Sequence, residues 1–264
     1  MPDSGGIYRN SARNKEQKVK KMDLNKLSIG SWCQIGHPAN AEILANAGFS
    51  WLALDCEHGE AEDSDIGNFC RAVRPFDCTP LIRVKENSLM AIRRALDLGA
   101  AGVIVPLIET PSEAEQAVKA ATYPPRGIRG FAWQRANHWG SEFDAYVNDF
   151  KPVVIVMIES KAAVEHIDTI MAVEGVDGCF IGPYDMSGSY GIPGQTGHRI
   201  VKDACLKVAE SCRKCNKAAG QHIVTPTHEA VELAIRQGFT FLALGMDSYF
   251  LGNGARQTLE MLKS

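Results

Sequence analysis

From Ser28 onward, short runs of apolar and β-branched residues alternate with stretches whose apolar positions recur every three to four residues. The runs cover Ser28–Ile35, Trp51–Cys56, Pro80–Val84, Gly102–Pro106, Val153–Ile158, Gly178–Ile181, Gln221–Val224 and Phe241–Leu244. Near-continuous apolarity over so few residues fits strands covered on both faces, as in a parallel sheet. Between them the pattern predicts helices over Ala39–Ala47, Asp63–Val73, Leu89–Leu98, Ser112–Ala121, Ala162–Met171, Ile200–Ala219 and Thr227–Gln237. Ser112 with Glu115 reads as a capping box, Thr227 opens a helix, and Gly99 and Gly238 stand where helices should stop.

About eight strands separated by helices is the count of a closed parallel (β/α)8 barrel. A doubly wound open sheet would carry a glycine-rich turn after its first strand, and Gly30 and Gly36 do not make that pattern. Residues 1–23 are polar, rich in Lys and Arg and aperiodic, which predicts a mobile tail or a short first helix outside the core. Residues 24–264 then form a single barrel domain, an ordinary size for one. The stretch Tyr123–Lys151 is longer than a normal connection and carries Arg126, Arg129, Trp133, His138 and Trp139. It reads as a lid or subunit contact, with Trp133 a candidate wall of the substrate pocket or a packing residue, and Arg126 and Arg129 either anchors for an anionic substrate end or partners in surface salt bridges.

Composition narrows the function classes. The net charge of -3 implies no basic face and so no nucleic-acid partner. No apolar run approaches the ~18 residues of a membrane span, and the N-terminus lacks a secretory h-region. The 8 cysteines fall mostly on apolar segments, as buried reduced thiols of a cytoplasmic protein would. Cys212 and Cys215 have CxxC spacing but no second pair, so a zinc or redox site there is disfavoured.

In a barrel, chemistry gathers at the C-terminal strand ends. There the sequence places Asp55, Glu57 and His58 after the second strand, Arg83 and Lys85 after the third, Glu159 after the fifth and Asp185 after the sixth. Any one of them has an ordinary structural explanation, such as a helix cap or a salt bridge. Together they supply a base, a fixed cation and two hard oxygen ligands. Glu159 and Asp185 with water suit Mg²⁺, Mn²⁺ or Co²⁺, and such an ion could chelate a 2-oxo acid and stabilise its enolate. Arg83 could hold the oxyanion, His58 could move the proton, and Asp55 could orient the His58 imidazole. Lys85 could instead form a Schiff base, which would leave Glu159 and Asp185 idle.

The pieces LALDCEHG (52–59), PLIRV (80–84), ALDLGAAGVIVPLIET (95–110), YPPRGIRG (123–130), MIES (157–160) and GVDGCFIGPYDMSGSYG (175–191), in this order, resemble the metal-dependent pyruvate aldolases. These are typified by 4-hydroxy-2-oxoheptanedioate aldolase and 2-dehydro-3-deoxyglucarate aldolase, and macrophomate synthase is similar. The resemblance implies a phosphoenolpyruvate/pyruvate-type barrel in a trimer or hexamer, in many members with the last helix exchanged between subunits. It implies His58 as acid/base with Asp55 as its partner, Arg83 on the pyruvate oxyanion, and Glu159 and Asp185 on the metal. It also places backbone near Gly182 and Pro183 beside the pyruvate carboxylate. Two positions depart from the family. Met157 stands where a Gln is usual and Lys85 where a Pro is usual. The expected reaction is aldol cleavage or formation of a 4-hydroxy-2-oxo acid from pyruvate and an aldehyde. The alternatives are condensation with a keto acid, oxaloacetate decarboxylation on the same site, and a barrel without catalysis.

Overall fold

The computed structural model describes residues 22–24 and 26–262. The tail expected over 1–23 lies, but for Met22 and Asp23, outside them. The chain alternates strand and helix throughout: β1 (Ser28–Cys33), α1 (Pro38–Asn46), β2 (Trp51–Asp55), α2 (Asp63–Val73), β3 (Thr79–Arg83), α3 (Leu89–Asp97), β4 (Gly102–Val105) and α4 (Pro111–Ala121). A 3-10 turn (Arg135–Gly140) and α5 (Phe143–Asp149) precede β5 (Val153–Ile158). Then come α6 (Lys161–Glu165), α7 (Ile167–Ala172), β6 (Gly178–Ile181), α8 (Pro183–Ser189), α9 (Arg199–Lys214), β7 (Ala218–Ile223), α10 (His228–Arg236), β8 (Phe241–Met246) and α11 (Asp247–Glu260). The strands pair in parallel and in sequence order, and β8 returns to β1 to close the barrel.

Two cores follow from the two-residue period of a strand. Inward-facing Trp32, Trp51, Ala53, Leu81, Ile104, Ile155, Met157, Phe180, Phe241 and Ala243 fill the barrel, with Met22 and Leu24 packed against them. Outward-facing Leu52, Leu54, Ile82, Val103, Val154, Val156, Ile181 and Leu242 pack under the helices. Residues two past an inward one point the same way, so Asp55 follows Ala53, Arg83 follows Leu81, Glu159 follows Met157 and Gly182 follows Phe180 at the strand C-termini. Gly30, also inward, leaves the space that the Trp51 indole fills, since a Cβ there would lie 2.0 Å from that ring.

Several expected boundaries shift for local reasons. The capping box of α4 is Thr110 with Glu113, not Ser112 with Glu115, because Pro111 takes the first helical position. The helix expected over Ile200–Ala219 stops at Lys214, where Asn216 turns the chain with φ 54° and frees residues 218–223 for β7. The helix expected over Ala162–Met171 divides at His166, which lies outside helical geometry. Thr227 does cap α10 by accepting from the Ala230 amide.

The long segment after α4 packs at the opposite end of the barrel from the strand C-termini. Arg129 bonds Asp97, Arg135 donates 2.7 Å to the Leu98 carbonyl, and Arg74 at the end of α2 reaches His138. All these partners lie at the C-terminal ends of α2 and α3, where each helix turns back toward the start of the next strand.

Candidate active site

Parity and register bring the first pair together. Asp55 and Arg83 are register partners on β2 and β3. Arg83 Nε donates 2.8 Å to Asp55 Oδ1, and Nη2 donates to Oδ2. Burial alone would raise the Asp55 pKa, but the hydrogen bonds and charge of Arg83, with the Glu57 and His58 amides, outweigh it and hold the carboxyl below its usual range. The guanidinium lies 4.7 Å from the centre of the Trp32 ring, which floors it. Its third nitrogen, Nη1, faces Glu57 Oε2 at 3.3 Å and Met157 Sδ at 3.8 Å.

The expected link between Asp55 and the His58 imidazole is absent. Asp55 Oδ1 instead accepts the backbone amides of Glu57 and His58, each at 3.1 Å. It therefore shapes the turn that carries His58 and does not touch the ring. The carboxylate nearest the imidazole is Glu57, with Oε2 3.8 Å from His58 Nε2. The His58 side chain is 65% exposed, so the ring stands at the open mouth. Glu57 is mostly buried, and burial raises its pKa, while Arg83 and His58 pull it back down in part. The sequence places Glu57 at this strand end but gives it no role of its own. The signal was present, since position 57 repeats the inward parity of 55 and adjoins the candidate base.

Glu159 follows β5 and is buried. Its Oε1 accepts the Leu107 amide at 2.8 Å, a geometry Leu107 reaches in a left-handed turn with φ 57°. Burial raises the Glu159 pKa; the Leu107 amide opposes that, and the charges of Glu57 and Asp185 add to it. Asp185 lies in the first turn of α8. The two carboxylates meet around Gly182. A Cβ on that residue would lie 2.8 Å from Glu159 Cβ, 3.1 Å from Glu159 Oε2 and 3.6 Å from Asp185 Oδ2. Only glycine leaves room for this approach. The Gly182 amide is not free for a ligand, because it donates to the Ile158 carbonyl at 3.2 Å. Pro183 has no amide hydrogen, so the first free donors of α8 are Tyr184 and Asp185.

Two carboxylates converging on a glycine suit a hard divalent cation that keeps several positions for water and substrate. No group of three His, Cys, Asp or Glu side chains able to hold a metal occurs among the described residues.

Three further readings are decided in three dimensions. Trp133 is 76% exposed and belongs to the segment at the opposite end of the barrel, so this chain does not bring it to its own site. Arg129 is fully buried against Asp97 and stacks over Tyr123, Tyr146 and Phe150, which removes it as a substrate anchor. Lys85 is exposed and paired with Glu62 at 3.1 Å, and that hydrogen bond raises its pKa, the reverse of what a Schiff-base nucleophile needs. All eight cysteines are free thiols. Cys212 packs against Cys179 and Met171, with no partnership to Cys215.

Comparison with known proteins places these features in a wider set. Residues 28–253 match the family described as HpcH/HpaI aldolase/citrate lyase. The chain is 34% identical to a 4-hydroxy-2-oxovalerate aldolase of Rhodococcus jostii, over 90% of this chain and 92% of the relative. It is 35% identical to a 2-keto-3-deoxy-L-rhamnonate aldolase of Escherichia coli, over 93% and 92%. A crystal structure of an HpcH/HpaI aldolase/citrate lyase family protein from Burkholderia cenocepacia superposes with a TM-score of 0.87 at 31% identity, covering 91% of this chain and 96% of that one.

Proposed function

The chain belongs to the HpcH/HpaI aldolase/citrate lyase family, and from that premise we propose that it is a divalent-metal-dependent aldolase, a carbon–carbon lyase, that cleaves or forms a 4-hydroxy-2-oxo acid from pyruvate and an aldehyde. The observation that carries this reading is the meeting of Glu159 and Asp185 around Gly182, at the mouth that Arg83 also lines. When bound there, Mg²⁺, Mn²⁺ or Co²⁺ would polarise the 2-oxo group and stabilise the enolate.

The protein's own groups do the rest. Glu159 and Asp185 would hold the ion, and the Leu107 amide fixes Glu159 through Oε1. Arg83, immobilised by Asp55, presents Nη1 toward the developing oxyanion. His58 moves the proton between the aldehyde oxygen and solvent, from a turn whose amides Asp55 fixes. Glu57 lies between Arg83 Nη1 and His58 Nε2 and links the two. The backbone of α8 beyond Gly182 and Pro183 borders the substrate carboxylate, with Tyr184 and Asp185 as its donors.

A second reading uses the same site on a keto acid, by condensation or by oxaloacetate decarboxylation. Met157 favours keeping it, because a thioether stands beside Arg83 Nη1 where the family usually has a Gln. Offering pyruvate with an aldehyde panel, pyruvate with keto acids, and oxaloacetate alone, with products read by mass, separates the two.

The assembly we propose is a homo-oligomer, a trimer or hexamer with α11 exchanged. Exposed Leu251, Leu259 and Met261 on or beside α11, and exposed Trp133 and Trp139 at the other end, support burial against further copies. Eight free cysteines fit a cytoplasmic setting, and no helix among the described residues is long and apolar enough to cross a membrane. The deciding experiment strips the protein with EDTA and restores Mg²⁺, Mn²⁺ or Co²⁺. Activity should vanish and return; undiminished aldol turnover in EDTA would refute the metal mechanism.

A further inference from the structure

β7 sends one ionisable side chain into the barrel mouth that the proposed chemistry does not use. His222 follows Ala218 and Gly220 on the inward face, half-buried. The pairing of Ile181 with Gln221 sets it beside Gly182, where Glu159 and Asp185 meet. Its ring lies 6.3 Å from that of Trp32, which also floors Arg83.

One nitrogen of this ring is already committed. Nε2 lies 2.9 Å from the Gly245 carbonyl oxygen, and a carbonyl can only accept, so Nε2 carries the hydrogen. The hydroxyl of Ser31 lies 3.0 Å from the Leu244 carbonyl and 3.2 Å from that of Gly245. In the neutral ring Nδ1 is then a lone-pair acceptor, with no hydrogen-bond partner among the described residues. Burial lowers the His222 pKa, the Gly245 carbonyl opposes that and the charge of Arg83 adds to it, so the neutral form is favoured.

The other polar groups of the mouth are cations, carboxylates and amides that suit the carboxylate and keto oxygens of a 2-oxo acid. An acceptor at a neutral ring fits neither; it fits a hydroxyl. We propose that His222 is a specificity-determining residue whose Nδ1 accepts a hydrogen bond from a substrate hydroxyl, so that the site prefers a hydroxyl-bearing partner to its deoxy counterpart. The hydroxyl could sit on C3 of the 2-oxo acid or on C2 of the aldehyde. The inference rests on the keto-acid reading of the mouth.

The test compares wild type, His222→Leu and His222→Gln, each loaded with Mn²⁺. Binding of hydroxypyruvate and pyruvate is measured by calorimetry, and kcat and KM are measured with glycolaldehyde and acetaldehyde. In wild type the hydroxylated member of one pair should be preferred. His222→Leu should lose about tenfold of that preference, the worth of one hydrogen bond read by difference, while the deoxy member changes by less than about twofold. His222→Gln, whose amide can donate to Gly245 and accept from the hydroxyl, should keep most of it. The pair that responds identifies the source of the hydroxyl. A merely structural role would weaken both members alike. Unchanged preferences in a His222→Leu protein that melts like wild type overturn the proposal. So does the absence of any preference in wild type, which needs no variant to fold. If the hydroxyl preference in binding holds but pyruvate condenses with no aldehyde, the aldolase reading fails and the His222 assignment stands.

Discussion

Arg83 closes on Asp55 with two nitrogens, Nε at 2.8 Å from Oδ1 and Nη2 on Oδ2, and leaves that carboxylate nothing for the His58 ring. The pair is the hinge of the site: it orients Nη1 toward Glu57 and fixes the turn that carries His58.

Asp55→Asn should therefore act on stability and catalysis together. Removing one partner of a buried pair costs about 3–5 kcal/mol, and Asp55 is 1% exposed. Because the folded Asp55 pKa is depressed, its contribution is present above the unfolded carboxylate range, near ~4, and is lost as pH falls through the lower folded value. Thermal melts from neutral to acid pH should show that loss in wild type, and a smaller one in Asp55→Asn. Equal acid sensitivity of the two proteins would contradict this account.

Glu57→Gln separates the newly identified carboxylate from Asp55. The folded Glu57 pKa is raised, so wild-type stability falls as pH climbs from the unfolded carboxylate range through the folded value. The amide removes that penalty, and Glu57→Gln should melt no lower than wild type at neutral pH. It should nevertheless reduce kcat by about tenfold to a hundredfold, the range for loss of a group that supports the working residues of a metal site, with little change in KM. A kcat within about twofold of wild type would remove Glu57 from the machinery.

Gly182→Ala tests the metal reading without touching a carboxylate. Its Cβ would press on Glu159 Cβ at 2.8 Å and on Oε2 at 3.1 Å. Mn²⁺ affinity, read by calorimetry or electron paramagnetic resonance, should drop at least about tenfold, as for loss of a group that supports metal ligands. Glu159→Gln should lower it further. Full Mn²⁺ affinity in both variants would place the ion elsewhere.

Lys85 yields a prediction of absence. It is exposed and holds its proton through Glu62, so borohydride with pyruvate should leave the mass of the protein unchanged. Lys85→Met should keep kcat within about threefold, since a solvent-exposed ion pair contributes little. A pyruvate adduct on Lys85 would reverse the assignment.

Much of this was legible in the chain itself. Eight short apolar runs separated by amphipathic stretches specify strands buried on both faces, and only a wound or closed parallel sheet covers both. The order of LALDCEHG, PLIRV, MIES and GPYD placed the candidate acids and the arginine at one end of it. Period-two parity then carries Glu159 and Gly182 inward with Met157 and Phe180, and β3 pairs Arg83 with Asp55 across one strand.

What the linear pattern could not decide was which neighbour each polar atom would choose. Asp55 is three residues from His58 but takes Arg83, because register puts a bidentate donor opposite it while the turn points the imidazole outward. Trp133 and Arg129 lie in a suggestive segment, yet a connection from helix to strand must fold at the far end of the barrel from the strand C-termini, and Arg129 is anchored there by Asp97. His222 was hidden because β7 begins at Ala218, ahead of the expected Gln221, and its nearness to Gly182 and Gly245 exists only once the sheet closes. Periodicity along a strand is a property of one segment, so sequence determines it. Contacts across a closed barrel depend on the relative register of eight segments and on the competition of buried groups for partners, and only the tertiary structure settles those.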